Sequence, residues 1–204
     1  MSLINSAVSA LLQVALLGGV PFLAYAAYQR WRHKRPFREI CNRAGLQVGE
    51  PRYLLYSALL GLAVVVALVL WTPPLEALTR EGSGQAKFAG MGITLASVTM
   101  AVLQGAVQTG FAEELLFRGL IAGSLFRRLP FAWANVVQAL IFLLPHVLLL
   151  LIAAELWPLL PVVFAGALVF GWLRGRSGSI LGPWILHGAG NVAIALIVAA
   201  RTVA

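Results

Sequence analysis

The chain has 204 residues, 60% of them hydrophobic and 11% charged, with a mean hydropathy of +0.88. A soluble domain carries about 25% charged residues, so the composition excludes one and points to a polytopic helical membrane protein. The net charge of +8 would suit nucleic-acid binding on a basic face, but here it is confined to short loops between apolar blocks, which excludes that class.

A helix needs about 20 apolar residues to cross a bilayer. Blocks of that kind predict a bundle of about six transmembrane helices. The first runs from Leu3 to Tyr28. No basic residue precedes it, and a basic cluster follows the cleavage-like "AYA" of Ala24 to Ala26, so it reads as an anchor rather than a signal peptide. A basic loop comes next, with Arg30, Arg32, Lys34, Arg35, Arg38, Arg43 and Arg52. The single cysteine, Cys41, lies in it, so no internal disulfide forms. The second span covers Leu54 to Trp71. Pro73, Pro74 and Glu81 to Gly84 then read as a loop. The third span starts near Ala89 and carries Glu113, Glu114 and Arg118 near its end. Gly119 to Leu129 is expected to form a short interfacial or re-entrant helix, or to extend the third span. The fourth span covers Phe131 to Ala153, the fifth Pro158 to Leu173 and the sixth Ile180 to Val198. Glu155 is expected to be solvated in the loop between the fourth and fifth. The chain reads as one transmembrane domain over 1–204, with a variable part over 1–88 and a core over 89–200.

Arg127 and Arg128 follow the third span, and Arg174 and Arg176 follow the fifth. With the first loop they lie on one side of a six-span arrangement. The other side has only Arg80, Lys87 and Arg201. The positive-inside bias therefore predicts that the arginine-rich side is cytoplasmic and that both termini are outside. The basic loop is also expected to contact anionic membrane lipid.

Charged groups in hydrocarbon cost about 2.5 to 3.5 kcal/mol each on insertion scales, so those that occur are functional candidates. The candidates are Glu113, Glu114, Arg118, His146, His187 and Asn191. Glu114 and Arg118 are four apart and can pair on one helix face. Glu113 is turned from Glu114 by about 100° in a regular helix and is free to point elsewhere. His187 and Asn191 are also four apart, as are Phe142 and His146 in "FLLPH". Three spans thus deliver polar groups that lipid cannot satisfy, and these should converge inside the bundle. Glu114 with Arg118 reads equally as a plain buried ion pair, and a lone histidine as an interhelical hydrogen bond. The full set exceeds that. One carboxylate and two imidazoles make a general acid/base set, and an asparagine can donate to an oxyanion. The same atoms could bind zinc, although the spacing is not that of an HExxH helix. Gly105, Gly110, Gly119, Gly123, Gly188 and Gly190 leave room for close helix approach or a substrate backbone, and the mouth of the cavity is expected on the arginine-rich side.

"EELLFR", "FLLPH" and "HGAGN" occur in that order in separate spans. They resemble the EExxxR, FxxxH and HxxxN motifs of the CPBP family (CAAX proteases and bacteriocin-processing enzymes), also called the Abi family. The resemblance covers roughly Ala89 to Ala200. It implies an intramembrane endopeptidase acting on a membrane-associated peptide, or on a lipidated or C-terminally anchored protein. By that resemblance Glu113 is the general base and His146 its partner in activating water. His187 and Asn191 stabilise the oxyanion, while Glu114, Arg118 and Phe142 support the site. The expected chemistry is of the glutamate type without a cofactor, in a bacterial cytoplasmic membrane. The alternatives are a zinc-dependent prenyl-protein peptidase, or a scaffold or transporter with the same fold.

Overall fold

The computed structural model describes residues 3–151 and 154–203. Every described element is helical, and six helices are long and apolar enough to cross a membrane: α1 (Leu3–His33), α3 (Pro51–Leu70), α5 (Leu95–Leu125), α6 (Phe131–Leu148), α7 (Leu159–Ser177) and α8 (Leu181–Arg201). Two shorter helices lie between them, α2 (Phe37–Arg43) and α4 (Leu75–Thr79). Each helix satisfies its own backbone groups, as a lipid solvent requires. Exposed apolar side chains such as Leu11, Leu62 and Leu144 cover the outer surface.

Local signals set several ends. Pro51 stands at the first position of α3, where its missing N–H costs nothing. Thr94 and Ser97 form a reciprocal capping box at the start of α5. Gly178, with φ at +72°, closes α7 in the left-handed conformation that glycine adopts without strain. The span carrying the glutamates begins at Leu95 rather than near Ala89, because Gly90 and Gly92 at positive φ break the chain just before it.

No separate interfacial or re-entrant helix follows the third span. Gly119 to Leu125 continue α5, and only the residues after Leu125 leave it. Packing explains this. Gly119 and Gly123 lie against the carbonyls of Ala44 and Arg43, so the basic loop caps the helix end and holds it in the bundle. The fourth span's expected end at Ala153 falls outside the described residues; α6 itself ends at Leu148.

Helices α5 and α8 form the centre. A Cβ on Gly105 would lie 2.8 Å from the Val192 nitrogen, and one on Gly188 would lie 3.3 Å from Ala106. Small residues at this crossing let the two backbones meet. Helix α3 packs on α8, α1 on α5, and α6 on α7.

Candidate active site

Helix α5 is unusual where it carries the polar residues. Val102–Phe111 and Glu114–Ala122 are wound as π-helix, with Ala112 and Glu113 between them in regular α geometry. Widened turns of this kind gather at functional sites. The Thr109 hydroxyl enters the ladder and donates to the carbonyls of Gln104 and Gly105, at 3.0 and 3.2 Å. Glu113 itself keeps α backbone angles, with φ −70° and ψ −41°, so it and Glu114 still point in different directions.

Glu114 and Arg118 are fully buried and pair at 3.0 Å. The Arg118 guanidinium also lies over the Phe142 ring at 3.9 Å and the Phe170 ring at 4.9 Å. Two aromatic faces thus take the place of water around a buried cation. His187, from α8, places Nδ1 2.9 Å from the same Glu114 oxygen that accepts from Arg118. An ionised carboxylate only accepts, so Nδ1 carries the proton and Nε2 points into the site. Nε2 lies 3.9 Å from Glu113 Oε2. That is too far for a hydrogen bond and leaves the two groups facing across a gap.

The remaining residues come from α6 and α8. His146 Nδ1 donates to the Phe142 carbonyl at 2.9 Å, which leaves its Nε2 as the acceptor in the neutral ring. Phe142 lies between the imidazoles, with ring centroids 4.6 Å from His146 and 6.0 Å from His187. Phe170 stacks on the other side of His187 at 5.4 Å. Asn191 donates through Nδ2 to the Thr109 hydroxyl at 2.8 Å and reaches the Gly105 carbonyl only at 3.5 Å, so its second N–H is weakly engaged.

Glu113, Phe142, His146, His187 and Asn191 line one cavity of about 660 Å³. Glu114 and Arg118 stand behind that wall. Most of the lining is apolar, including Leu60, Val64 and Leu68 of α3, so a span outside the motif region helps to build the site. The cavity reaches Gly82 to Gln85 and Leu156, at the arginine-poor end of the bundle. The expected mouth on the arginine-rich side is thereby corrected. Gly119 and Gly123 are spent on packing the basic loop and open no path there. Glu155 also has a partner beside the cavity. It pairs with Arg80, which links the loops on either side of α5 and α6. Its carboxyl is held below the usual range first by a hydrogen bond from its own backbone and then by Arg80.

Sequence reasoning missed Thr109 and Phe170. Thr109 had a signal, since it lies four residues before Glu113 in a charge-free stretch. Phe170 had none, because an aromatic in an apolar span looks the same whether it faces lipid or a guanidinium.

Residues 89–193 match the family described as type II CAAX prenyl endopeptidase Rce1-like, a stretch that holds all three motifs and half of the chain. No curated protein and no solved structure matches the chain. A helical bundle with these motifs lining one cavity, together with that match, places the chain in the Rce1-like family of type II CAAX endopeptidases, which are intramembrane proteases.

Proposed function

We propose that this protease hydrolyses a peptide bond of a membrane-associated substrate with water activated by Glu113. The observation that carries the reading is the gap between Glu113 Oε2 and His187 Nε2, 3.9 Å wide and lined by both groups. The 3.9 Å separation is too short to admit reactants between the two atoms, but both groups line the cavity, so a water and a carbonyl held there can meet the base and the donor together. Glu113 takes a proton from water as the oxygen attacks the carbonyl carbon, with His146 Nε2 holding the same water. The oxyanion accepts from a protonated His187 and from the second N–H of Asn191. The carbon–nitrogen bond then breaks as Glu113 returns the proton to the leaving nitrogen. Glu114 holds Nδ1 of His187 and balances Arg118. With His187 protonated, the charges of Glu113, Glu114, Arg118 and His187 sum to zero, which suits burial.

A zinc route would need His146, His187 and a carboxylate to converge on one ion. Among the described residues no three His, Cys, Asp or Glu side chains are grouped to do so. The lack of such a ligand group supports the metal-free reading, whereas the Nδ1 bonds of the two histidines leave each Nε2 free and favour neither route.

A chain rich in alanine, leucine and arginine with only two lysines favours a bacterial cytoplasmic membrane, and the charge bias puts the arginine-rich end inside. The cavity then opens on the outer face. Its apolar walls suit an anchored peptide or lipidated segment presented from that side more than a prenylated cytoplasmic protein. The test is hydrolysis of a peptide library in detergent by the native protein and by Glu113→Ala, each with and without a chelator. Cleavage by the native protein alone, unchanged by the chelator, supports the proposal. Chelator-sensitive cleavage restored by zinc overturns the metal-free part, and cleavage by Glu113→Ala overturns the role of the base.

A further inference from the structure

A second pocket lies at the opposite end of the molecule. It measures about 390 Å³ and is lined by Arg43, Arg127 and Arg174, with Glu39 its one acidic residue. Glu39 is already engaged by Arg35 and Arg43. No carboxylate pairs with Arg127 or Arg174 among the described residues. Arg174 is 6% exposed. It donates to the carbonyls of Arg118 and Arg43, at 3.2 and 3.0 Å, and carbonyl dipoles leave its full charge uncancelled. Arg43 Nε is buried without a hydrogen-bond partner. Gly123 makes the arrangement sterically feasible. A Cβ there would lie 3.3 Å from Arg174 Nη2 and 3.4 Å from Arg127 Nη1, so the guanidinium groups sit side by side over its bare Cα. Like charges this close repel one another, and an anion seated among them would relieve that repulsion.

The location names the anion. Tyr28 and Trp31, both exposed, end α1 at this level, and exposed Trp133 begins α6 there. Aromatic side chains at helix ends mark the lipid headgroup region. Planar guanidinium groups match phosphate oxygens in pairs, and basic pockets among helix ends take anionic headgroups.

We propose that Arg43, Arg127 and Arg174 form a binding site for the phosphate of an anionic membrane lipid. The site stands apart from the hydrolytic reading and is tested without any activity measurement. Arg174 holds the carbonyl of Arg118, whose side chain pairs with Glu114. An occupied pocket therefore also braces the helix that carries the glutamates.

The test is native mass spectrometry of the full chain in detergent, titrated separately with phosphatidylglycerol, with phosphatidylcholine and with inorganic phosphate. Retention of one phosphatidylglycerol and weak retention of phosphatidylcholine are expected. Arg127→Gln and Arg43→Gln should each weaken phosphatidylglycerol binding about five- to tenfold. Arg32→Gln and Arg38→Gln, exposed on the same face outside the pocket, should leave it unchanged. Melting temperature without lipid shows that each variant is folded, and added phosphatidylglycerol should raise it in the native protein and not in Arg127→Gln. Equal losses in all four variants would mean a diffuse basic surface and overturn the site, as would equal retention of the two lipids. Saturable phosphate binding without lipid preference would keep the anion site and overturn the lipid as its occupant.

Discussion

His187 and Arg118 share a single oxygen. His187 Nδ1 and Arg118 Nη1 lie 2.9 and 3.0 Å from Glu114 Oε1. Glu114 Oε2 is buried with no hydrogen-bond partner. Glu114 therefore does more than neutralise an arginine on its own helix. It ties α5 to α8 and fixes which nitrogen of His187 faces the cavity. Glu113, its neighbour, makes no contact of hydrogen-bond length among the described residues and faces His187 at 3.9 Å.

Replacing Glu114 should damage fold and activity together. Glu114→Gln leaves Arg118 as a buried cation without its directly paired carboxylate, at a cost of about 3 to 5 kcal/mol. It also removes the acceptor that holds Nδ1 of His187. Melting temperature and peptidase rate in one detergent should both fall clearly. A well-folded Glu114→Gln protein with native turnover would remove Glu114 from both roles.

Glu113→Gln should behave differently. Its side chain is 19% exposed toward the cavity and, among the described residues, makes no hydrogen bond whose loss would leave a partner unsatisfied. The melting temperature should stay near that of the native protein, while turnover falls by about 10²- to 10⁴-fold, the usual contribution of a general base. If this variant keeps near-native turnover and Glu114→Gln is folded but inactive, the roles of the two glutamates are exchanged.

Thr109 is expected to position Asn191. Thr109→Val removes the acceptor of the 2.8 Å bond at a stability cost of about 1 kcal/mol. The freed amide should misalign and lower kcat about 10- to 100-fold with little change in KM. Thr109→Ser, which restores the hydroxyl, should recover most of that loss. Equal kcat in the valine and serine variants would show that the hydroxyl does not set the amide.

Two glycines separate packing from space. A methyl group on Gly105 would press 2.8 Å from the Val192 nitrogen and 3.0 Å from the Asn191 carbonyl carbon, both backbone atoms. Gly105→Ala should destabilise by about 1 to 3 kcal/mol and shift Asn191. Gly166 lines the cavity and has nothing within 4 Å of its added Cβ. Gly166→Ala should melt like the native protein. Comparable melting losses at the two positions would contradict the tight α5–α8 crossing.

Sidedness can be read with single cysteines in a Cys41→Ser background. Glu81→Cys lies in the loop next to the cavity mouth, and Arg38→Cys in the basic loop. In intact spheroplasts a membrane-impermeant maleimide should label the first and not the second. The reverse pattern would put the mouth in the cytoplasm and restore a cytoplasmic substrate.

The sequence by itself determined the class, the six spans and the residues worth suspecting. Lipid offers no hydrogen bonds, so an apolar run of sufficient length must be a helix whatever surrounds it. The same rule makes Glu113, Glu114, Arg118, His146, His187 and Asn191 conspicuous without any knowledge of their partners. Only the tertiary structure decided what those residues face. Regular helix geometry leaves Glu113 free to meet the histidines, yet His187 bonds Glu114 and holds Glu113 at a distance. No residue pattern announces the π-wound turns of α5. The direction of the cavity was hidden for a similar reason. Gly119 and Gly123 look like free space in the sequence, and whether a glycine opens a channel or admits a neighbouring carbonyl depends on which segment docks there. Here Arg43 and Ala44 dock, and the cavity that holds the motif residues extends toward the other end of the bundle.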